Sequence, residues 1–111
     1  PWCDELMAVF GKWNALKSNA NLSDQIAELY IDVTPGTPPI YREDALKKIF
    51  FIGYDRTDNV MFGVDNIASQ YSTQYALDWI GRDLAIYEKL GLSQEKIDSV
   101  FCGAFMRFIG Q

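Results

Sequence analysis

Residues 59–65, Asn-Val-Met-Phe-Gly-Val-Asp, constrain the fold more than any other stretch of this chain. A short apolar run with one glycine ends abruptly in a carboxylate, and a polar turn follows it. A run this short is compatible with a piece of buried helix. Val60, Phe62 and Val64 are β-formers, however, and Asn59 and Asp65 bracket the run with turn residues, so it reads as a buried strand. Alternation puts Val60, Phe62 and Val64 on one face and Met61, Gly63 and Asp65 on the other. On the second face Gly63 leaves space, and Asp65 stands at the carboxyl end, where α/β proteins place their active-site groups.

A second strand precedes it. Across residues 29–34 the pattern has a period of two, with Leu29, Ile31 and Val33 facing one way and Tyr30, Asp32 and Thr34 the other. Pro35-Gly36-Thr37-Pro38-Pro39 stops it, because that run continues neither strand nor helix. Residues 42–52 then read as a helix, with Leu46, Ile49, Phe50 and Phe51 apolar, Glu43 and Asp44 in the first turn, and Gly53 at its end. Two strands joined by a helical crossover form a right-handed unit with parallel strands. Parallel pairing brings Asp32 and Asp65 toward the same end of the sheet. Two carboxylates there can bind a hard metal or share acid–base work. For Asp32 the favoured reading is a bond to the backbone of the turn at residues 34–36. For Asp65 a turn or N-cap role with Asn66 and a functional role stand level on local evidence.

Helices fill the rest. Residues 1–19 carry a stripe of Leu6, Phe10 and Trp13, widened by Met7 and Val9, with Asp4 and Glu5 in the first turn. Leu22-Ser23-Asp24 offers an N-cap for a short helix to about residue 28. The longest helix spans residues 73–90, with Ala76, Ile80, Leu84 and Tyr87 as its inner stripe and Leu77 and Trp79 flanking. Gly91 is a left-handed C-cap, Ser93 caps the next helix, and Leu92 with Ile97 makes a hydrophobic staple. Residues 100–109 are strongly apolar, interrupted by Gly103 and Arg107. A lone parallel pair is a poor domain, since parallel sheets need both faces covered and more strands. The chain, which opens at Pro1-Trp2 straight into a helix, is therefore expected to be a slice of an α/β protein whose missing neighbours lie upstream.

Composition narrows the chemistry. A formal net charge of −5, with no cluster of Lys and Arg, argues against a nucleic-acid partner. No apolar run approaches the ~20 residues that cross a bilayer, and no signal peptide is recognisable, so a cytoplasmic location without membrane contact is expected. Cys3 and Cys102 sit in apolar sequence surroundings and read as buried free thiols rather than a bridge. The chain has 0 histidines, which removes the commonest metal ligand and the commonest general base. Arg56 and Arg82 are the weaker candidates for holding an anion.

At this point the residues reach a known family. Val60-Met61-Phe62-Gly63-Val64-Asp65 resembles the Phe-Gly-Thr/Ser-Asp signature that closes the eighth strand of metal-dependent amidohydrolase-related enzymes, in the branch of aminocarboxymuconate-semialdehyde decarboxylase. Tyr30-Ile31-Asp32-Val33-Thr34 is similar to that branch's seventh strand, and Asp55-Arg56 to the Asp-Arg that precedes the signature. Leu90-Gly91-Leu92-Ser93, Ile97, Val100-Phe101-Cys102-Gly103 and Arg107 are similar to its C-terminal helices. Three departures stand out: Asn66-Ile67 replaces the usual aromatic and proline, Thr57-Asp58-Asn59 is inserted before the strand, and Ala104-Phe105 replaces Asn-Ala in the terminal helix.

The resemblance implies that residues 1–111 are a single partial domain, the last third of a (β/α)8 TIM barrel, helix-rich with a parallel strand pair. It implies a metal-dependent hydrolase or decarboxylase acting on a small carboxylated or cyclic substrate. Asp65 would be the catalytic acid–base and would bind or face a divalent metal, zinc in the usual case. The histidine ligands of such a site lie on earlier strands, so this chain alone is expected to hold no metal and to be inactive. Its uncovered faces are expected to make it a homo-oligomer. The alternative is a free-standing helical module that binds a protein partner or a small ligand.

Overall fold

The computed structural model describes residues 2–36, 38–53 and 57–111. Helix α1 (Trp2–Lys17) is followed by a short 3-10 turn (Ser23–Gln25), strand β1 (Ile31–Asp32), a second 3-10 turn (Pro39–Tyr41) and helix α2 (Arg42–Phe51). A third 3-10 turn (Thr57–Asn59) leads into strand β2 (Val60–Met61). A fourth (Ala68–Gln70) precedes helix α3 (Thr73–Leu90), and helix α4 (Gln94–Asp98) runs through a π-helical turn (Ser99–Gly103) into helix α5 (Ala104–Phe108). The protein is helix-rich, with one parallel two-stranded sheet among the described residues.

The helices form where the sequence stripes predict, but they turn slightly different faces inward. In α1 the buried residues are Met7, Phe10 and Trp13, while Leu6 and Val9 are exposed, so the stripe is rotated by one position. Trp13 fixes that rotation: its Nε1–H donates to Ala27 O at 2.9 Å, tying α1 to the segment that enters β1. In α2 the inward stripe is Arg42, Leu46 and Ile49, and Phe51 is exposed. Helix α3 buries Ala76, Trp79, Asp83 and Tyr87, with Ile80 and Leu84 half-buried beside them.

Gly91 terminates α3 at φ 74°, and its N–H returns to the Glu88 and Tyr87 carbonyls, the left-handed cap that glycine adopts without a steric cost. Ser93 caps α4 by accepting from Lys96 N–H, with Ile97 buried and Leu92 half-buried next to it. The helix expected after Leu22 amounts to a single 3-10 turn, and no side-chain cap bonds it.

Both strands are shorter than their patterns predict. Ile31 pairs with Val60 and Asp32 with Met61, in parallel, and the pairing ends there. With no third strand among the described residues, the ladder has nothing to propagate it along residues 29–34 or 59–65. The alternation itself is as expected at the centre: Ile31, Val33 and Val60 are buried and Asp32 is exposed. These three residues, Met7, Phe10, Trp13, Leu46, Ile49, Tyr87, Ile97 and Val100 form one core. A side chain such as Phe10, fully buried, contributes ~1.5–3 kcal/mol by leaving water.

The outer edge of β2 is covered from an unexpected quarter. Phe62 N–H donates to Val100 O at 3.0 Å. Val100 lies in the π-helical turn, where Ala104 N–H reaches back five residues to Ser99 O. An α-helical Ala104 would have bonded Val100 O. Widening the helix by one residue thus frees a carbonyl for the strand edge. Phe101 of the same turn packs on Phe62 with ring centroids 5.0 Å apart.

Candidate functional site

Parallel pairing sets the carboxyl ends of β1 and β2 side by side; Asp32 is the last residue of β1, paired with Met61, and Asp65 follows beyond the end of β2. Asp32 is engaged locally. Its Oδ1 accepts from Thr34 N–H at 2.8 Å and from the Thr34 hydroxyl at 2.6 Å, the turn bond expected of an aspartate before such a loop. Asp65 is different in kind. It is exposed, and it is the sole non-glycine residue with positive φ among the described residues, at 51°. Asp and Asn enter this left-handed region more readily than other side chains, because their short polar groups bond nearby backbone.

The space beside Gly63 is not vacant. A Cβ built there would lie 2.1 Å from Thr34 Oγ1 and 2.8 Å from Asp32 Oδ1. The glycine is required by the close approach of the neighbouring strand's Asp32–Thr34 pair, and that pair fills the gap.

After Asp65 the chain makes a closed loop. Asn66 Nδ2 donates to Ser72 O at 2.8 Å, and Ser72 N–H donates back to Asn66 Oδ1 at 3.1 Å. Ser72 then caps α3 by accepting from Tyr75 N–H at 3.2 Å. The clasp joins the strand end to the longest helix through two side chains. Ile67 and Tyr71 project from the loop, 65% and 62% exposed. Sequence reading gives Asn66 only as a turn residue. The Asn-x5-Ser spacing that closes the loop carries no general signal.

Away from this end, α2 and α3 enclose an ion pair. Arg42 Nε donates to Asp83 Oδ1 at 2.9 Å and Nη2 to Oδ2 at 2.6 Å, with the two residues 4% and 0% exposed. Two guanidinium groups lie over the Trp79 ring, Arg42 at 5.5 Å and Arg82 at 4.2 Å from its centroid. Arg82, expected as an anion candidate, is thus stacked on an aromatic face, and Arg56 lies outside the described residues, as does Asp55. Sequence reading missed Asp83, although an arginine and an aspartate each sitting on an otherwise apolar helical stripe was the available signal. Tyr87, fully buried on the same stripe, has a hydroxyl without a hydrogen-bond partner among the described residues. Burial, and after it the charge of Asp83, pushes that hydroxyl well above its ordinary pKa, with Arg42 opposing.

A polar cluster ties the C-terminal helices to the start of β2. Lys96 Nζ reaches Thr57 Oγ1 at 2.8 Å and Asp58 Oδ1 at 2.5 Å, and Arg107 Nη2 donates to Asp58 O at 2.5 Å and to Ser99 Oγ at 2.8 Å. A shallow cavity of about 400 Å³ beside it is lined by Glu95, Asp98 and Cys102 among others. Cys102 is exposed there and Cys3 half-buried, both as free thiols, so the expectation of buried thiols is corrected: the apolar neighbours of Cys102 in sequence lie on other faces of the helix. A larger groove of about 700 Å³ separates α1 from α2, floored by Met7, Ala8, Phe51 and Ile52 and edged by the exposed Asp4–Lys48 ion pair at 2.8 Å.

Among the described residues no three His, Cys, Asp or Glu side chains come together as a metal site. No described helix is long and apolar enough to cross a membrane. Comparison with protein-family models, with curated proteins and with solved structures finds no match to this chain.

Proposed function

We propose that this chain is the last third of a (β/α)8 barrel in a metal-dependent hydrolase or decarboxylase, with Asp65 as its acid–base. The observation that carries the reading is the exposed Asp65 just past the carboxyl end of a parallel strand whose partner is reached through a helix. Barrels of this kind gather their catalytic groups at that end. A carboxylate held out from the strand, with Asp32 already satisfied by Thr34, is free to take or give a proton. The substrate class that the family resemblance supports is a small carboxylated or cyclic molecule.

The residues present do not by themselves fit a divalent metal. Asp65 is one oxygen donor, the chain has 0 histidines, and a zinc site needs three or four protein ligands. Any metal chemistry belongs to the larger protein and its donors on other strands. The apolar groups left in solvent, among them Val9, Phe51, Phe105 and Phe108, support association of this chain with itself or with the rest of such a barrel. The coding frame upstream of Pro1 tests the proposal: it should contain a strand carrying His-x-His, and an initiator codon adjacent to Pro1 would contradict it.

One observation favours a second reading, a self-contained helical module. The Val100 carbonyl already occupies the Phe62 N–H that a further strand would need, and the α1–α2 groove could take an apolar ligand. Sedimentation equilibrium separates the two. The barrel reading expects association down to low concentration, and a folded, cooperative monomer at nanomolar concentration favours the module.

A further inference from the structure

The last inter-strand backbone bond is Val33 N–H to Met61 O at 2.9 Å, and Phe62 N–H goes the other way, to Val100 O at 3.0 Å. From there to Asp65 no backbone hydrogen bond holds residues 63–65 among the described residues. Something other than the ladder must therefore direct this segment. A close approach is seen at Gly63, where a Cβ would meet Thr34 Oγ1, Asp32 Oδ1 and Thr34 Cβ. Thr34 is held in turn by Asp32, through its N–H at 2.8 Å and its hydroxyl at 2.6 Å.

We propose that Asp32 and Thr34 are positioning residues for Asp65, acting through the bare Cα of Gly63. The proposal rests on the reading of Asp65 as the functional acid. The hydrogen-bonded Asp32–Thr34 pair forms a rigid stop on β1, and the β2 backbone lies against it where the ladder has ended. Asp65 follows two residues on, past the end of β2, so the stop sets the direction from which it leaves the sheet. An oxygen is what makes the approach possible. A methyl group in place of Thr34 Oγ1 needs ~3.5–4.0 Å to its carbon neighbours and loses the Asp32 bond, so the two chains separate. Serine keeps the hydroxyl and the bond.

The test is nuclear magnetic resonance of the 111-residue chain, with Thr34→Val, Thr34→Ser and Gly63→Ala beside the wild type. The conformation of Asp65 is read from its HN–Hα coupling and backbone carbon shifts, and folding from the shifted ring signals of Tyr87. Thr34→Ser should keep the left-handed signature of Asp65. Thr34→Val should move the Asp65 resonances and carry its coupling toward that of extended chain, with the Tyr87 signals unmoved. Gly63→Ala should do the same more strongly, and if it fails to fold, Thr34→Val decides. A Thr34→Val chain with the Asp65 coupling and shifts of the wild type would overturn the proposal. This readout is independent of turnover, so a parent enzyme indifferent to Asp65→Asn would defeat the functional reading and leave the positioning result standing.

Discussion

At the α2–α3 interface a charged pair is sealed inside the protein. At the carboxyl end of the sheet a charged group stands in solvent on left-handed backbone. The two regions belong to one fold and share one residue type, aspartate, put to opposite ends. Asp83 has both oxygens bonded by one guanidinium, and Arg42 is further covered by Trp79. That arrangement leaves Asp83 no capacity for chemistry and makes each partner indispensable to the other. Asp65 sits beyond the last ladder bond, on a segment that other elements brace only from the side. The contrast separates an aspartate that holds two helices together from one left open to solvent.

The largest effect should come from opening the sealed pair. Asp83→Ala strands a buried guanidinium and is expected to cost about 3–5 kcal/mol of stability, measured by chemical denaturation. The double variant Arg42→Met with Asp83→Leu should lose far less, because two apolar groups of similar volume leave no uncompensated charge. A double variant as damaged as Asp83→Ala would mean that the pair specifies the α2–α3 packing and does more than occupy it.

Tyr87→Phe should have a smaller effect, in the opposite direction. Its buried hydroxyl has no partner among the described residues, so its removal should raise stability by about 1 kcal/mol, relieving the penalty of an unsatisfied polar group. The same residue gives a pH dependence. Its folded pKa lies above the ordinary 10.0. Below that pH both folded and unfolded chains keep the proton. Above it the unfolded chain releases the proton while the native state holds it, so stability falls as pH climbs past about 10. Urea midpoints between pH 9 and 11 should fall less in Tyr87→Phe than in the wild type, and equal slopes would remove Tyr87 as the cause.

At the other region, the smallest effect is expected of the conservative change to asparagine. Asn tolerates the left-handed region as Asp does, so Asp65→Asn should change folding stability by no more than about 0.5 kcal/mol. Asp65→Ala has no such tolerance and should cost about 1–2 kcal/mol, the left-handed penalty of an ordinary residue. Equal stabilities of the two variants by denaturation would show that residue 65 leaves that conformation in solution.

How much of this is legible in the sequence divides along the same line. Helix α3 is found at its predicted bounds, and Gly91 and Ser93 act as the caps their types suggest, because capping is decided within a few residues. Which face of a helix turns inward is decided from far away. The pairing of Arg42 with Asp83 turns α2 and α3 toward two residues that a hydrophobic stripe does not select, and the Trp13 bond to Ala27 turns α1 onto Met7 in place of Leu6. The strands suffer most. Val60 and Ile31 lie where alternation puts them, yet two residues pair in each strand, because strand length depends on neighbours and this sheet has a single ladder. At the candidate site, Asp65 and the Asp32 turn could be read from residue types and spacing. The filling of the Gly63 gap by Thr34, and the capture of Phe62 N–H by a π-turn carbonyl, need the folded chain.

The proposed role of Asp65, an acid that works in a larger barrel, meets its most direct test in one measurement. The protein translated from the whole reading frame containing this chain is compared with its Asp65→Asn variant for turnover of a small carboxylated or cyclic substrate that the wild type accepts. The account predicts that folding is retained and turnover falls by about 10²–10⁴-fold, the contribution of a positioned acid–base group. A variant that turns over at close to the wild-type rate would contradict it.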